Sequence, residues 1–140
     1  MKIIIVDDNQ FFRENLKYFL EKKLQHEVIG EASCGIDFLD RPDLHRADII
    51  LMDIELGDIS GIQAAQRCMM TRTKSRFIAV TMHTEKVFLK ELIEAGFKGC
   101  VYKSEVFNFL DLAMHEVFEG RLYFPENIEI WQKNEFQSKI

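Results

Sequence analysis

Five short apolar runs, at residues 2–6, 27–32, 48–52, 77–80 and 99–102, punctuate this chain, and helical patterns fill the gaps near 10–24, 34–40, 61–71, 85–95 and 105–119. Continuous apolar runs of that length read as strands buried on both faces. This alternation constrains the fold more than any single motif does. Five β-α units in order imply an α/β protein, a parallel sheet with helices on both faces. Right-handed crossovers narrow the topology further.

Local signals agree with the alternation. Ser60 followed by Gln63 reads as a capping box, and Ser33, Thr84 and Ser104 are candidate N-caps. Gly96 and Gly120 are candidate helix stops. With 140 residues the chain suits one domain, residues 1–120, followed by a tail or truncated linker at 121–140. That tail breaks the rhythm and carries Pro125 and the single tryptophan, Trp131.

Charge and cysteine usage exclude several classes. The formal charge of −5, with no Lys/Arg run, gives no nucleic-acid signature, so DNA binding by this chain alone is not expected. Cys34, Cys68 and Cys100 are widely spaced, which argues against zinc ligation or a disulfide framework and for core filling in a reduced, cytoplasmic setting. No signal-peptide pattern opens the chain, and no apolar run is long enough to span a membrane.

In an open parallel sheet, ligands bind beyond the carboxyl ends of the strands. Asp7 and Asp8 follow the first run, Asp53 the third, Thr81 the fourth and Lys103 the fifth. All five polar groups therefore meet at one sheet edge. Taken alone, Asp7-Asp8 reads as a solvated turn, Thr81 as a strand-end residue and Lys103 as a surface lysine. Together, three carboxylates call for a hard cation such as Mg²⁺. A lysine ammonium and a threonine hydroxyl complete a site for a tetrahedral dianion. Asp53 is then placed to act as a nucleophile on phosphorus.

With those residues the chain resembles the receiver domain of two-component response regulators, over about residues 1–120. Gly61 matches the family's glycine after the phosphoacceptor. The stretches "DDNQFFRENLKYFL", "GEASCGIDFL" and "VFEGRLYFPENI" resemble NarL/LuxR-type receivers in particular. The resemblance implies a doubly wound, flavodoxin-like sheet in the order 2-1-3-4-5. It implies that Asp53 accepts a phosphoryl group from a sensor histidine kinase or phosphotransfer protein. Asp8 would bind Mg²⁺ directly, Asp7 mainly through water, and Glu55 through its backbone carbonyl. Thr81 and Lys103 would hold phosphoryl oxygens, and Tyr102 sits where an aromatic rotamer accompanies activation. Members of the NarL/LuxR group usually precede a helix-turn-helix output domain, which these residues do not contain.

The chain departs from the family pattern at three places. Ser104 replaces the usual proline after the lysine, and Gly57 stands where proline is frequent. Met82 occupies a position where a small residue normally admits phosphoryl, so Met82, with His83 beside it, is a candidate for access control. His83 reads equally as a plain loop residue, and His26, His45 and His115 as surface residues. Phe11 and Phe12 are expected in the core, with a kinase-docking contact as the alternative. In the last helix, Phe107, Met114 and Phe118 form a second apolar stripe, to be covered by Tyr123 or Trp131 or by a homodimer partner.

Three rival functions fit less well. A haloacid-dehalogenase-type phosphatase needs its nucleophile after the first strand in a D-x-D pattern, but that strand ends D-D-N. A pseudo-receiver, a pure binding module, would be expected to lose an acid, the threonine or the lysine. A nucleotide or flavin binder lacks a Gly-rich loop after the first strand. The expected role is a signalling switch rather than an enzyme, with at most slow self-dephosphorylation.

Overall fold

The computed structural model describes residues 1–125. Strands β1 (Lys2–Val6), β2 (Glu27–Ala32), β3 (Ile49–Met52), β4 (Arg76–Thr81) and β5 (Gly99–Tyr102) form one sheet in the order β2-β1-β3-β4-β5. Every neighbouring pair is parallel. Helices α1 (Gln10–Tyr18), α2 (Gly35–Leu39), α3 (Gly61–Met69), α4 (Lys86–Ala95) and α5 (Val106–Phe118) cover the two faces. This is the flavodoxin-like order that the family resemblance implies.

The period of two in β1 divides the core. Ile3 and Ile5 point into a cluster with Leu16 of α1 and Val106, Leu110 and Val117 of α5. Ile4 and Val6 point the other way, onto Phe38 of α2, Cys68 of α3 and Leu92 of α4. Each such side chain, fully buried, contributes roughly 1.5–3 kcal/mol. Burial also pushes the Cys68 thiol up to about 11 and the Cys100 thiol to about 12, so both are inert fillers.

Helix starts differ from the sequence expectation in instructive ways. The Ser60–Gln63 capping box forms. The other three caps fall one residue later, at Cys34, Glu85 and Glu105, and none makes a side-chain cap bond. At α2 the missing cap comes from a distant loop. Asp58 Oδ1 accepts from Gly35 N–H at 3.0 Å and Oδ2 from Ile36 N–H at 2.8 Å. These bonds hold its carboxyl well below the usual carboxylate range. Asn9 caps α1, accepting from Phe12 N–H at 3.0 Å. The first helix continues past Tyr18 as a π-helical turn, Phe19–Lys23.

Phe11 is a correction: it is 80% exposed, not core. The buried stripe of the first helix runs through Phe12, Leu16 and Leu20 at a spacing of four, and Phe11 lies about 100° off it. The second stripe of α5 divides. Met114 is fully buried, while Phe107 and Phe118 stay 50% and 43% exposed. Phe107 is partly screened by Phe19, its ring 5.1 Å away edge-on.

After α5 the chain turns at Gly120, whose φ of 89° favours glycine, and comes back beside β5. Tyr123 N–H donates to Lys98 O at 3.0 Å, and Cys100 N–H donates to Tyr123 O at 2.8 Å. Tyr123 packs on the α5 cluster and Phe124 on the opposite one. Trp131, the other expected cover, lies outside the described residues.

Gly61 fixes the loop between β3 and α3. Its N–H donates to Ile54 O at 2.7 Å, and a Cβ on it would stand 1.8 Å from the Asp53 carbonyl oxygen. Backbone cannot yield as a flexible side chain does. Gly61→Ala should therefore cost about 1–3 kcal/mol in urea unfolding. A variant as stable as the parent would show that this loop is not held against the helix start.

Candidate functional site

The carboxyl ends of β1, β3, β4 and β5 bring together the residues singled out in the sequence. Asp7 and Asp53, just past β1 and β3, are 2% and 6% exposed, and Thr81 at the end of β4 is 1% exposed. The ladder continues into the site: Asp7 N–H donates to Ala32 O at 3.1 Å and Asp53 N–H to Val6 O at 2.9 Å. The strands thus set where both carboxylates stand. Asp8 is exposed at the rim.

Lys103 Nζ bridges the two buried acids, 2.7 Å from Asp7 Oδ2 and 3.1 Å from Asp53 Oδ2. Its ammonium also lies 4.6 Å from the centre of the Phe12 ring. The burial of Lys103 disfavours its charge, but the bond to Asp7 and the charges of both carboxylates outweigh it, and its pKa is raised. Asp53 goes the opposite way. Burial first, and the Asp7 charge second, raise it to about 6, against the pull of Lys103. One ammonium thus serves two carboxylates incompletely.

The acids fit a divalent cation. Oxygens of Asp7, Asp8 and Asp53 lie within 4.8 Å of one another. Asp7 Oδ2 is buried and faces the Lys103 ammonium at 2.7 Å, with no well-directed hydrogen bond among the described residues. That oxygen keeps capacity for another ligand. An all-oxygen set of this kind matches Mg²⁺.

Two loops frame the acids. Asp53 Oδ1 receives a long bond from Glu55 N–H, 3.4 Å. The Glu55 carboxylate reaches His83 Nε2 at 2.5 Å, and His83 N–H donates to Thr81 Oγ1 at 3.1 Å. His83 also stacks near Phe88, with ring centres 4.3 Å apart. His83 therefore ties the loop after Asp53 to the loop after Thr81. Its neighbour Met82 is 73% exposed. Tyr102 is half-buried and pairs in register with Thr81 across β4 and β5. Gly57 has a φ of 83°, a conformation closed to proline.

Some contributors escaped the sequence reading. Arg13 Nη1 donates to the Asp7 carbonyl at 2.6 Å and pairs with Glu31 at 3.5 Å, bracing the acid turn from α1. Phe12 beneath Lys103 was expected in the core or as a kinase-docking contact, not as a neighbour of the lysine. Neither partnership follows a local spacing rule, because each depends on how α1 lies across the strand ends.

A fold, an acid trio and a bridging lysine of this kind define a receiver, and comparison with known proteins agrees. Residues 3–115 match the family model described as the response regulator receiver domain, and the chain belongs to that family. Its relatives are LuxR-family response regulators. The response regulator UvrY of Escherichia coli K12 is 27% identical over 128 residues, covering 91% of this chain and 59% of its own. The response regulator GacA of Pseudomonas aeruginosa is also 27% identical, over 91% of this chain and 60% of its own. The chain thus spans about three fifths of the length of these relatives. A LuxR-family two-component response regulator from Aurantimonas sp. SI85-9A1 superimposes with a TM-score of 0.84, at 27% identity over 96% of both chains. Receiver domains are signalling proteins rather than classical enzymes, and they generally bind Mg²⁺ at an acidic pocket. No described helix is long and apolar enough to cross a membrane.

The raised Asp53 pKa has a stability consequence. An acid whose folded pKa of about 6 exceeds its ordinary 3.8 favours folding when protonated. That contribution is complete below the ordinary pKa and is lost as pH rises through about 6. In metal-free buffer at pH 7, Asp53→Asn should stabilise the protein by on the order of 1–3 kcal/mol. The gain over the parent should shrink as pH falls toward 4. Urea melts of both proteins across that range test it, and a gain independent of pH would refute it.

Proposed function

We propose that Asp53 is the phosphoacceptor, taking a phosphoryl group from a phosphohistidine on a sensor histidine kinase or phosphotransfer protein. The observation that supports it best is the Asp53 carboxylate, buried at the sheet edge with the Lys103 ammonium 3.1 Å from one oxygen. An Asp53 oxygen attacks phosphorus in line. The P–N bond breaks, and its electron pair stays with the imidazole. Lys103 already lies against the acceptor and neutralises charge on the phosphoryl oxygens. The Thr81 hydroxyl is released from the His83 N–H to donate to a phosphoryl oxygen. Asp8, Asp7, Asp53 and the Glu55 carbonyl would hold Mg²⁺, which supplies charge neutralisation between acceptor and phosphoryl oxygens. Return to the free aspartate is slow self-catalysed hydrolysis.

Switching follows from the same contacts. A phosphoryl group adds roughly −1.5 to −2 charge and three strong acceptors. As Thr81 turns toward it, Tyr102, its register partner, gains room to turn inward. The His83 tie to Glu55 passes the change to the loop after β4. The two states are a biased equilibrium rather than two folds.

We read residues 1–120 as the receiver and 121–140 as a tail or linker, acting in the cytoplasm. The relatives' regulatory role makes transcription control the output, with DNA contacts supplied outside this chain. Phe11, exposed on the first turn after the acid pair, is offered to the phosphodonor. Phe107 and Phe118 on α5 leave an apolar face for a homodimer partner.

Intact-mass measurement after acetyl phosphate and Mg²⁺ should show one phosphoryl group, absent with EDTA and absent in Asp53→Asn. Equal labelling without a divalent metal, or in Asp53→Asn, would sink the assignment. Met82→Ala should speed that labelling with little change in stability, because the side chain is largely exposed. An unchanged or slower rate would remove Met82 from the entry path.

A further inference from the structure

At the opposite edge of the sheet, where the strands begin, a second group of ligand-type side chains gathers. His26 immediately precedes β2, while Asp111 and His115 lie one turn apart on α5. The His26 side chain is only 10% exposed, although histidine at that position was expected at the surface. Its Nδ1 contacts the Met1 amine at 3.1 Å. Its Nε2 is buried and has no hydrogen-bond partner among the described residues. Such an orphan is unusual, since buried polar atoms nearly always find partners. Asp111 Oδ1 lies 4.0 Å from it, too far for a hydrogen bond, and 3.2 Å from His115 Nε2.

We propose that His26, Asp111 and His115 form a binding site for a divalent first-row transition-metal ion, with Zn²⁺ the type case. One atom from each of the three residues lies within 4.8 Å of the others. Zinc bonds of about 2.0–2.1 Å place tetrahedral ligands about 3.3 Å apart. The Asp111–His115 pair already stands at 3.2 Å, and His26 Nε2 is 4.0 Å from Asp111 Oδ1, less than one ångström beyond that spacing. Asp111 and His115 can supply that movement, because their side chains are 50% and 58% exposed.

Two further observations favour a cation here. His115 lies in the last turn of α5, where the helix dipole favours positive charge. A cleft of about 720 Å³ lined by Met1, Gln25, His26 and His115 gives an ion access and leaves room for water at the open coordination positions. Binding at His26 Nε2 requires its proton on Nδ1, facing the Met1 amine, so uptake releases a proton from that pair.

The two sites differ in chemistry. The acid trio offers only oxygen, which suits Mg²⁺, whereas two imidazoles and one carboxylate favour zinc and its neighbours. A metal here would pin the C-terminal half of α5 to the start of β2, away from Asp53. The proposal stands independently of phosphoryl transfer.

Calorimetric titration of the full chain with Zn²⁺, in excess Mg²⁺ to fill the acid trio, tests the site. One equivalent should bind and raise the melting temperature. Zn²⁺ should shift the Nε2 resonances of both His26 and His115 in long-range ¹H–¹⁵N spectra. His115→Gln and Asp111→Asn, both at exposed positions, should each weaken binding at least about tenfold, the low end of what even an outer-shell partner is worth. Asp8→Asn and Cys34→Ser should leave it unchanged. No binding, undiminished binding in His115→Gln and Asp111→Asn, or loss confined to Asp8→Asn or Cys34→Ser would overturn the site.

Discussion

One ammonium between two buried carboxylates governs this molecule. Lys103 meets Asp7 at 2.7 Å and Asp53 at 3.1 Å in a setting that leaves little water to any of them. Two such acids side by side resist ionisation together, and a single cation relieves them only in part. The residual strain shows in the raised Asp53 carboxyl. The rest of the fold exists to hold this unfavourable arrangement in place. Strand ladders fix the two aspartates, Arg13 clamps the Asp7 backbone, and the Phe12 ring faces the ammonium. A group that brings positive charge, or that rearranges the negative charge, acts on a site already under tension.

Two loops connect that site to its surroundings. Thr81 and Tyr102 are cross-strand neighbours, so movement of one changes the space of the other. His83 links the same loop to Glu55, two residues from Asp53. A change at Asp53 therefore has two short routes outward, one through packing and one through polar contacts.

Much of this was legible in the sequence, and the limits were physical. The strands were clear because burial on both faces leaves continuous apolar runs, and the polar residues ending them marked the site. Strand order was not readable from periodicity; it came with the family resemblance. The Ser60 box was legible because both partners lie within one turn. The cap that Asp58 gives α2 was not, since 22 or more residues separate donor and acceptor. Phe11 and Phe12 look alike in sequence, and only the angular step of a helix decides which one faces the sheet. His26 was hidden for a similar reason: it lies outside any apolar run, yet the end of α5 closes over it.

The return of the chain beside β5 also bears on how the protein survives at high concentration. A sheet edge with free N–H and C=O groups invites pairing with another molecule, and parallel sheets normally leave two such edges. Here Tyr123 occupies hydrogen-bonding positions along β5. The other flank, β2, carries Glu27 and Glu31 and meets β1 with a break in register after Ile3. The start of one edge is thus met by the chain's own backbone, and the other edge carries charge and irregularity. Both features disfavour strand addition, which shifts selection of contacts with other proteins toward the helical surfaces and the loop rims.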